Sequence, residues 1–300
     1  MWPPYLKHGD KIAIISPSGN IDEKYIDGAT EVLQSWGLHP IVGKHAKDRF
    51  GRFAGSKEER LADVQWAFDT KEIKAVLCSR GGYGLVQIID DIDFTHFELY
   101  PKWVIGFSDI TVLHLAVAAY DIASLHGIMA KDICLNSESA ELLRQSLFGE
   151  LTDYAIDPHP LNRTGKTHGE IIGGNLSVMC GLCGTHFDVN AAGKILFIED
   201  VGEKPYQVDR YLYNLKLGGT LEQLSGLIVG QFTEYEEDEE MGATLYELIA
   251  DAVSEYKYPV IFGFPAGHIT QNLPLPFGME TQLNVSTTGV SLNFISGKED

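Results

Sequence analysis

Basic residues are scarce in this chain. Lys and Arg total 23 against 42 Asp and Glu, which gives a formal net charge of -19. A surface with this balance repels the phosphate backbone of nucleic acids and the anionic face of lipid membranes, so neither is expected as a partner. Net charge governs solubility and steering rather than local sites, so a positively charged cleft stays possible.

Long apolar runs are missing as well. No segment keeps together the roughly 18 apolar residues that a membrane-spanning helix needs. Residues 1–10 have no basic region followed by an apolar stretch, as a secretory signal would have. These absences predict a cytoplasmic protein. With 300 residues and 44% hydrophobic content, the chain can bury a full core in one large domain or in two ordinary ones.

Cysteine is rare too, since four in 300 residues do not make a disulfide framework. Cys180 and Cys183 form a C-x-x-C pair, but no second pair completes a zinc site, and the pair lies late in an apolar stretch. Buried packing is predicted for both thiols. The turn Pro17-Ser18-Gly19 lacks the G-x-G-x-x-G spacing that a dinucleotide needs, and the acidic run 234–240 is predicted to be a solvated loop. No cofactor and no metal are therefore expected.

The first half of the chain alternates strand and helix signals. Continuous apolar runs separated by helices indicate a parallel sheet covered on both faces, and ligands bind at the carboxyl ends of such strands. Arg80, Gly82 and Ser108 are expected at that edge. The predicted strands are 11–16, 73–78, 103–106 and 122–125, and the predicted helices are 23–36, one beginning at the capping box Ser56–Glu59, 85–89 and 110–119.

The amino-acid composition changes at residues 151–168, which are polar, include two prolines and show no helical period. A domain boundary is predicted there, with an N-terminal domain at 1–150, a linker at 151–168 and a C-terminal domain at 169–300. The second half is predicted to hold strands at 194–198, 227–229 and 260–262, helices near 175–183, 206–216 and 243–256, and a strand pair near 281–295 that turns at Thr287–Gly289.

Ser108 is the first candidate for chemistry. It follows the strand 103–106 in Gly106-Phe-Ser-Asp109 and precedes a predicted helix, as the serine of a nucleophile elbow does. Gly106 fits the G-x-S-x-G elbow, whereas Ile110 stands where the second glycine would be. A Ser-Asp pair before a helix is also typical of an N-cap, so both interpretations stay open on this stretch alone.

A nucleophilic serine needs a base and an orienting acceptor. His126 and His268 each follow a predicted strand, and His268 comes after a Gly-Phe-Pro-Ala-Gly turn that indicates a fixed backbone. Glu199 and Asp200 end the strand near 194–198, where a carboxylate can also serve as a helix cap or in a salt bridge. Ser, Glu and His at three strand ends meet the role requirements of a Ser-Glu-His triad.

Together these segments resemble the LD-carboxypeptidases, serine peptidases that include murein tetrapeptide carboxypeptidases and microcin C self-immunity peptidases. The motifs follow the family's order from about residue 10 to about residue 280. They are Ser79-Arg-Gly-Gly-Tyr-Gly84, Gly106-Phe-Ser-Asp109, Gly173-Gly-Asn-Leu-Ser177, Phe197-Ile-Glu-Asp200 with Tyr206 and Asp209-Arg210, and Gly263-Phe-Pro-Ala-Gly-His268.

The resemblance implies the roles of several side chains. Ser108 matches the nucleophile, Glu199 and His268 match its triad partners, and the backbone N-H groups of Gly82 and Asp109 match the oxyanion hole. Two further residues are candidates for substrate binding. Arg80 would hold a peptide's terminal carboxylate through its guanidinium fork, with a structural ion pair as the alternative, and Asn175 lies in a matched motif.

The implied fold class is α/β, with an N-terminal parallel-sheet domain of Rossmann or flavodoxin type and a smaller C-terminal α/β domain with mixed β-structure. The nucleophile would lie on the first domain and the Glu and His on the second. The implied activity releases terminal D-Ala from a murein tetrapeptide by cleaving an L,D bond, and a homodimer is expected. The alternatives are a self-immunity peptidase acting on microcin C-like aminoacyl-nucleotide conjugates, and a binding protein without catalysis.

Overall fold

The computed structural model describes residues 1–150 and 153–295. These described residues form thirteen strands and nine helices. The strands are β1 Lys11–Ile15, β2 His39–Val42, β3 Ile73–Cys78, β4 Trp103–Gly106, β5 Ser124–His126, β6 Tyr154–Ile156, β7 Gly165–Asn175, β8 Ile195–Val201, β9 Gly226–Thr233, β10 Val260–Ile261, β11 Leu275–Phe277, β12 Glu280–Val285 and β13 Val290–Phe294. The helices are α1 Glu23–Ser35, α2 Lys57–Asp69, α3 Thr95–Leu99, α4 Thr111–Ala118, α5 Ala130–Ile133, α6 Ser137–Phe148, α7 Leu176–Cys180, α8 Pro205–Leu217 and α9 Leu245–Ala252.

The chain divides into two compact units. The first comprises residues 1–150 and 270–276, and the second comprises residues 153–269 and 277–295. Residues 270–276 group with the first unit because β11 lies beside β5 in the first sheet. The stretch 151–168, predicted as a linker, contains β6 and the first residues of β7.

The first sheet has the strand order β11-β5-β4-β3-β1-β2. From β2 to β5 every neighbouring pair is parallel, and the order 2-1-3-4-5 is that of flavodoxin-like folds. The expected parallel α/β fold is confirmed. Its switch point lies between β1 and β3, so the loops that follow these two strands meet at the ligand-binding edge.

The second sheet has the strand order β10-β9-β8-β7-β12-β13-β6. The strands from β10 to β7 are parallel, and those from β7 to β6 are antiparallel. This mixed sheet is the mixed β-structure that was expected. It presents the carboxyl ends of β7 and β8 side by side, with Asn175 paired to Glu199.

Strand β7 is the largest difference from the sequence analysis. It contains four glycines, and its residues up to His168 fall in the predicted linker, whereas residues 171–175 are buried. The structure shows why glycine is needed there, since a Cβ on Gly173 would lie 2.0 Å from the carbonyl oxygen of Phe197 on the neighbouring strand. The strand therefore depends on its partners β8 and β12 rather than on its own propensity.

Lys102 has an unusual structural role at the start of β4. The side chain is fully buried, and its ammonium donates to the carbonyl oxygens of Ala67, Phe68 and Thr70 at 2.8 to 2.9 Å. These carbonyls belong to the last turn of α2, where the helix leaves acceptors unpaired. Burial lowers the pKa of Lys102 to about 8, so the group still carries its charge at neutral pH.

Lys102→Met should lower the free energy of unfolding by about 2–3 kcal/mol, because the substitution leaves buried carbonyl oxygens without donors. Urea denaturation followed by circular dichroism measures the effect. Lys57→Met, an exposed substitution at the first residue of the same helix, is the matched control. Equal midpoints for the two variants would contradict this role.

No helix in the described ranges has the length and apolar character needed to cross a lipid bilayer.

Candidate active site

Ser108 lies on a sharp turn directly after β4. Its φ is +65°, a left-handed conformation that is uncommon for residues other than glycine and is found where a site demands it. A single short turn, Ser108–Ile110, then leads into α4. The N-cap position of that turn is Phe107, and no side chain caps it. The helix-cap interpretation of Ser108 therefore fails, and the backbone is that of a strand-to-helix elbow.

The residues around Ser108 explain the departure from the G-x-S-x-G pattern. A Cβ on Gly106 would lie 2.8 Å from Cγ1 of Ile110, so the isoleucine fills the space that opens beside the first glycine. His114, one turn into α4, contacts the Gly106 carbonyl oxygen through Nε2 at 2.8 Å, and its Nδ1 contacts Oγ of Ser124 at 2.8 Å.

His114 is a neutral imidazole at physiological pH. Burial lowers its pKa to about 4, against the opposing effect of the hydrogen bond to Gly106. Since a carbonyl only accepts, Nε2-H donates to Gly106 and the Ser124 hydroxyl donates to Nδ1. His114 therefore provides a polar support beneath the elbow.

A glycine loop packs against Ser108. A Cβ placed on Gly81 would lie 2.7 Å from Cβ and 2.8 Å from Oγ of Ser108. The Gly81 carbonyl accepts a hydrogen bond from the backbone N-H of Gly19 at 3.2 Å, and Gly82 has a φ of +111°. A side chain at position 81 would collide with that of Ser108, and sequence reasoning, which singled out Gly82, missed this contact.

Gly81→Ala should reduce kcat/KM by about 100-fold or more, because the added methyl group displaces the Ser108 side chain by a sizeable fraction of an ångström. The φ of Gly81 is not positive, so the backbone tolerates alanine and the fold should persist. The control is Gly127→Ala, whose Cβ would make an ordinary 3.5 Å contact with Pro274. Equal activity of the two variants on any cleaved peptide would show that the contact is unimportant.

In the second unit, His268 and Glu199 form a close pair. Nδ1 of His268 lies 2.7 Å from Oε2 of Glu199, and the Glu199 side chain is completely buried near the end of β8 while 21% of the His268 side chain is exposed. The turn before the histidine approaches the carboxylate closely. A Cβ on Gly267, whose φ is +128°, would lie 3.0 Å from Oε2 of Glu199.

The environment of His268 makes it a stronger base. Burial alone lowers its pKa, but the hydrogen bond and charge of Glu199, followed by the charges of Asp200 and Glu234, outweigh burial and raise the pKa above its ordinary value. The other candidate histidine, His126, is buried on β5 with its ring 5.9 Å from that of Phe107. His268 contacts Glu199 directly.

Asn175 and Asp200 support the end of β8. Asn175 is the N-cap of α7, its Oδ1 accepting from the N-H of Val178 at 3.2 Å, and its amide donates to Asp200 at 2.9 Å. Burial, together with the charge of Glu199, raises the pKa of Asp200 to about 6. These contacts give Asn175 a structural role, and its contact with substrate stays a prediction.

Arg80 lies beside the glycine loop and is half-buried. Its Nη1 donates to the carbonyl oxygen of Asn20 at 3.1 Å, while its Nε is buried without a hydrogen-bond partner. Within the described part of the chain Arg80 forms no ion pair. The alternative of a structural ion pair is therefore not observed, and the guanidinium retains donors for an anion.

The motifs that suggested metal or redox chemistry have structural roles in these described residues. Cys180 and Cys183 are half-buried, so the predicted full burial is wrong, although partial burial still raises the pKa of each thiol. In the acidic run, Glu237 accepts from the backbone N-H of Leu245 at 2.9 Å and thereby caps α9.

Comparison with known proteins agrees with this geometry. The family model of the LD-carboxypeptidase N-terminal domain matches the sequence at residues 12–127, and the family model of the C-terminal domain matches it at residues 168–283. A probable murein peptide carboxypeptidase of Bacillus subtilis is 36% identical over 292 residues, which cover 95% of this chain and 92% of that protein.

The chain belongs to the LD-carboxypeptidase family. A murein tetrapeptide carboxypeptidase of Pseudomonas aeruginosa is 31% identical to this LD-carboxypeptidase, over 92% of this chain and 93% of the relative. The crystal structure of muramoyltetrapeptide carboxypeptidase from Oxalobacter formigenes superposes with a TM-score of 0.87 at 27% identity and covers 95% of this chain and 99% of its own. Sequence and fold thus place this LD-carboxypeptidase among serine-type carboxypeptidases.

Proposed function

We propose that this LD-carboxypeptidase releases terminal D-Ala from murein tetrapeptides by cleaving the preceding L,D bond, with Ser108 as nucleophile. The observation that carries the proposal is the left-handed backbone of Ser108, which presses its side chain against Gly81. A strained serine beside a side-chain-free loop is the arrangement in which a hydroxyl and backbone donors can both reach one carbonyl. The substrate class is supported by the names of the full-length relatives.

In the proposed mechanism His268 is the general base and Glu199 its orienter. His268 Nε2 removes the proton of Ser108 as Oγ attacks the carbonyl carbon, and the backbone N-H groups of Gly82 and Asp109 stabilise the oxyanion. The tetrahedral intermediate collapses when His268 returns the proton to the amine of D-Ala, which leaves. Water, deprotonated by the same histidine, then attacks the acyl-enzyme, and His268 returns that proton to Oγ as the shortened peptide leaves, which regenerates the serine hydroxyl and the neutral imidazole.

Arg80 is proposed to bind the carboxylate of the terminal D-Ala. Arg80→Gln should raise KM for a tetrapeptide with a free carboxylate by about 10–100-fold, the size of a lost charged hydrogen bond. A C-terminally amidated tetrapeptide, which lacks the negative charge, should be cleaved with a KM that the substitution changes little. An equal rise in KM for both peptides would assign Arg80 to another role.

The substrate is tested by measuring turnover on two compounds side by side. Release of D-Ala from a murein tetrapeptide, detected by chromatography, is expected to exceed turnover of an aminoacyl-sulfamoyl adenylate. The reverse preference would favour the self-immunity activity. Binding of both compounds with turnover of neither would favour a binding protein and contradict the proposed catalysis.

We further propose that the protein acts in the cytoplasm and that it forms a homodimer, the assembly that the resemblance to the family implies. Sedimentation velocity at the enzyme concentration of the assay measures the assembly directly.

A further inference from the structure

A buried carboxylate links three segments of the first unit beneath Ser108. The side chain of Asp109 belongs to a residue that is 3% exposed. Its Oδ2 accepts a hydrogen bond from Oγ of Ser18 at 2.6 Å and from the backbone N-H of Leu85 at 3.0 Å. One carboxylate oxygen therefore joins the elbow to the loop after β1 and to the end of the glycine loop after β3.

Arg60 of α2 reaches the same two loops. This residue is 1% exposed, and its Nη1 donates to the carbonyl oxygens of Pro17 at 2.9 Å and Gly84 at 2.8 Å. Its Nη2 donates to the side-chain oxygen of Gln87 at 2.9 Å, and the guanidinium lies 4.9 Å from the centre of the Phe53 ring. A buried arginine with three fixed acceptors holds the ends of two loops at a set spacing.

The loop held in this way is the one that faces the nucleophile. Gly81 packs against Ser108, and its carbonyl is fixed by Gly19 on the loop after β1. The contacts of Asp109 and Arg60 fix the far end of the loop at Gly84 and Leu85. The position of the Gly82 N-H relative to Ser108 therefore depends on both ends, and an oxyanion donor works only when its position is held within about 0.5 Å.

We propose that the Asp109 carboxylate, the Ser18 hydroxyl and the Arg60 guanidinium form an oxyanion-loop clamp, a set of positioning residues that keeps the Gly82 N-H in place for the reaction of Ser108. The proposal rests on the proposed function. In this proposal the backbone N-H and the carboxylate of Asp109 have separate roles. Its backbone N-H stabilises the oxyanion directly and survives substitution, whereas its carboxylate acts through the loop.

The test compares kcat and KM for D-Ala release among variants of the clamp. Asp109→Ala and Arg60→Met should lower kcat by about 100-fold while KM changes by less than about 3-fold, because a displaced donor weakens transition-state binding and not substrate binding. Ser18→Ala removes one hydrogen bond and should lower kcat by about 10-fold. Asp109→Asn keeps one side-chain oxygen that can accept from both Ser18 and Leu85 at the position of Oδ2, so it should restore kcat to within about 10-fold of wild type.

A second readout separates positioning from general damage. A murein tripeptide aldehyde forms a tetrahedral adduct with the nucleophile, so its affinity should fall in parallel with kcat across the variants, while the affinity of the tripeptide product stays constant. Asp63→Asn is the control, because Asp63 is a buried carboxylate on α2 that accepts from the backbone N-H of His45 instead. It should leave kcat unchanged.

The outcomes are distinct. If folded Ser18→Ala and Asp109→Ala enzymes keep wild-type kcat, or if product affinity falls with kcat, the clamp is overturned. If the wild-type enzyme releases no D-Ala, the proposed function fails, and the clamp is then judged by how fast a peptide-free fluorophosphonate labels Ser108. That rate should fall by about 100-fold in Asp109→Ala, and an unchanged rate would overturn the clamp.

Discussion

Ser108→Ala is expected to reduce kcat for D-Ala release on the order of 10⁶-fold, the effect of removing a triad serine. In the proposed mechanism Oγ of Ser108 forms the acyl-enzyme, and alanine has no oxygen to take its place. Alanine keeps the Cβ that already packs against Gly81, so the elbow should form as before. Thermal unfolding should be nearly unchanged, or slightly higher, because the strain of φ +65° is retained while a polar side chain is removed. Chromatographic detection of D-Ala at high enzyme concentration measures the residual rate.

The matched control is Ser124→Ala, which removes a buried hydroxyl from the neighbouring strand β5, where it donates to His114. That variant should lose far less activity than Ser108→Ala, because its hydroxyl supports the elbow indirectly. Full activity of Ser108→Ala would contradict the serine mechanism.

Glu199→Gln should lower kcat by about 10⁴-fold, the cost of replacing a triad acid by its amide. The glutamine can still contact Nδ1 of His268 through its oxygen, but it no longer stabilises the imidazolium or selects the correct tautomer. Glu199 is completely buried, so solvent does not supply a replacement charge. The measurement is kcat for D-Ala release across pH 5 to 9.

The same variant should shift the pH profile in a defined direction. His268 must be neutral to accept the Ser108 proton. The ordinary pKa of histidine is about 6.5. Burial lowers the pKa of His268, but Glu199 outweighs burial and raises it above that value. Wild-type kcat/KM should therefore rise through a pKa above 6.5. Removing the carboxylate leaves burial dominant, so the residual activity of Glu199→Gln should rise through a lower pKa. An unchanged midpoint of the pH profile in Glu199→Gln would contradict the assignment of His268 as the base. Glu203→Gln, on the loop before α8, is the control and should leave the midpoint unchanged.

Much of the first unit is predictable because several of its strands are largely buried. Strands β1 and β3 are mostly apolar, and the capping box at Ser56 marks the start of α2 locally. Strand β7 is different, since its glycines are required by the neighbouring backbone and carry no strand propensity of their own. Short-range sequence patterns do not contain that information.

Some residues of the candidate site are also predictable from the sequence, and others are not. Ser108 follows β4, Glu199 lies near the end of β8, and both lie with His268 in recognisable motifs, so the three can be named as candidates from the sequence. Arg60, Ser18 and the side chain of Asp109 act through contacts between residues that are 24 to 91 positions apart. One local feature of the sequence does point to Arg60. It precedes Val64 and Ala67 by four and seven residues, and this helical spacing places a charged residue on the buried face of α2. A buried arginine at that spacing indicates a fixed set of acceptors, but it does not identify them.

The most direct test of Ser108 as nucleophile and His268 as base is to map the serine that a fluorophosphonate labels, using peptide mass spectrometry on wild-type enzyme and on His268→Ala. A single phosphonylated residue, Ser108, is expected, and its labelling should slow by at least about 100-fold in His268→Ala because the base is gone. Labelling of a different serine, or equal rates for the two proteins, would contradict these roles.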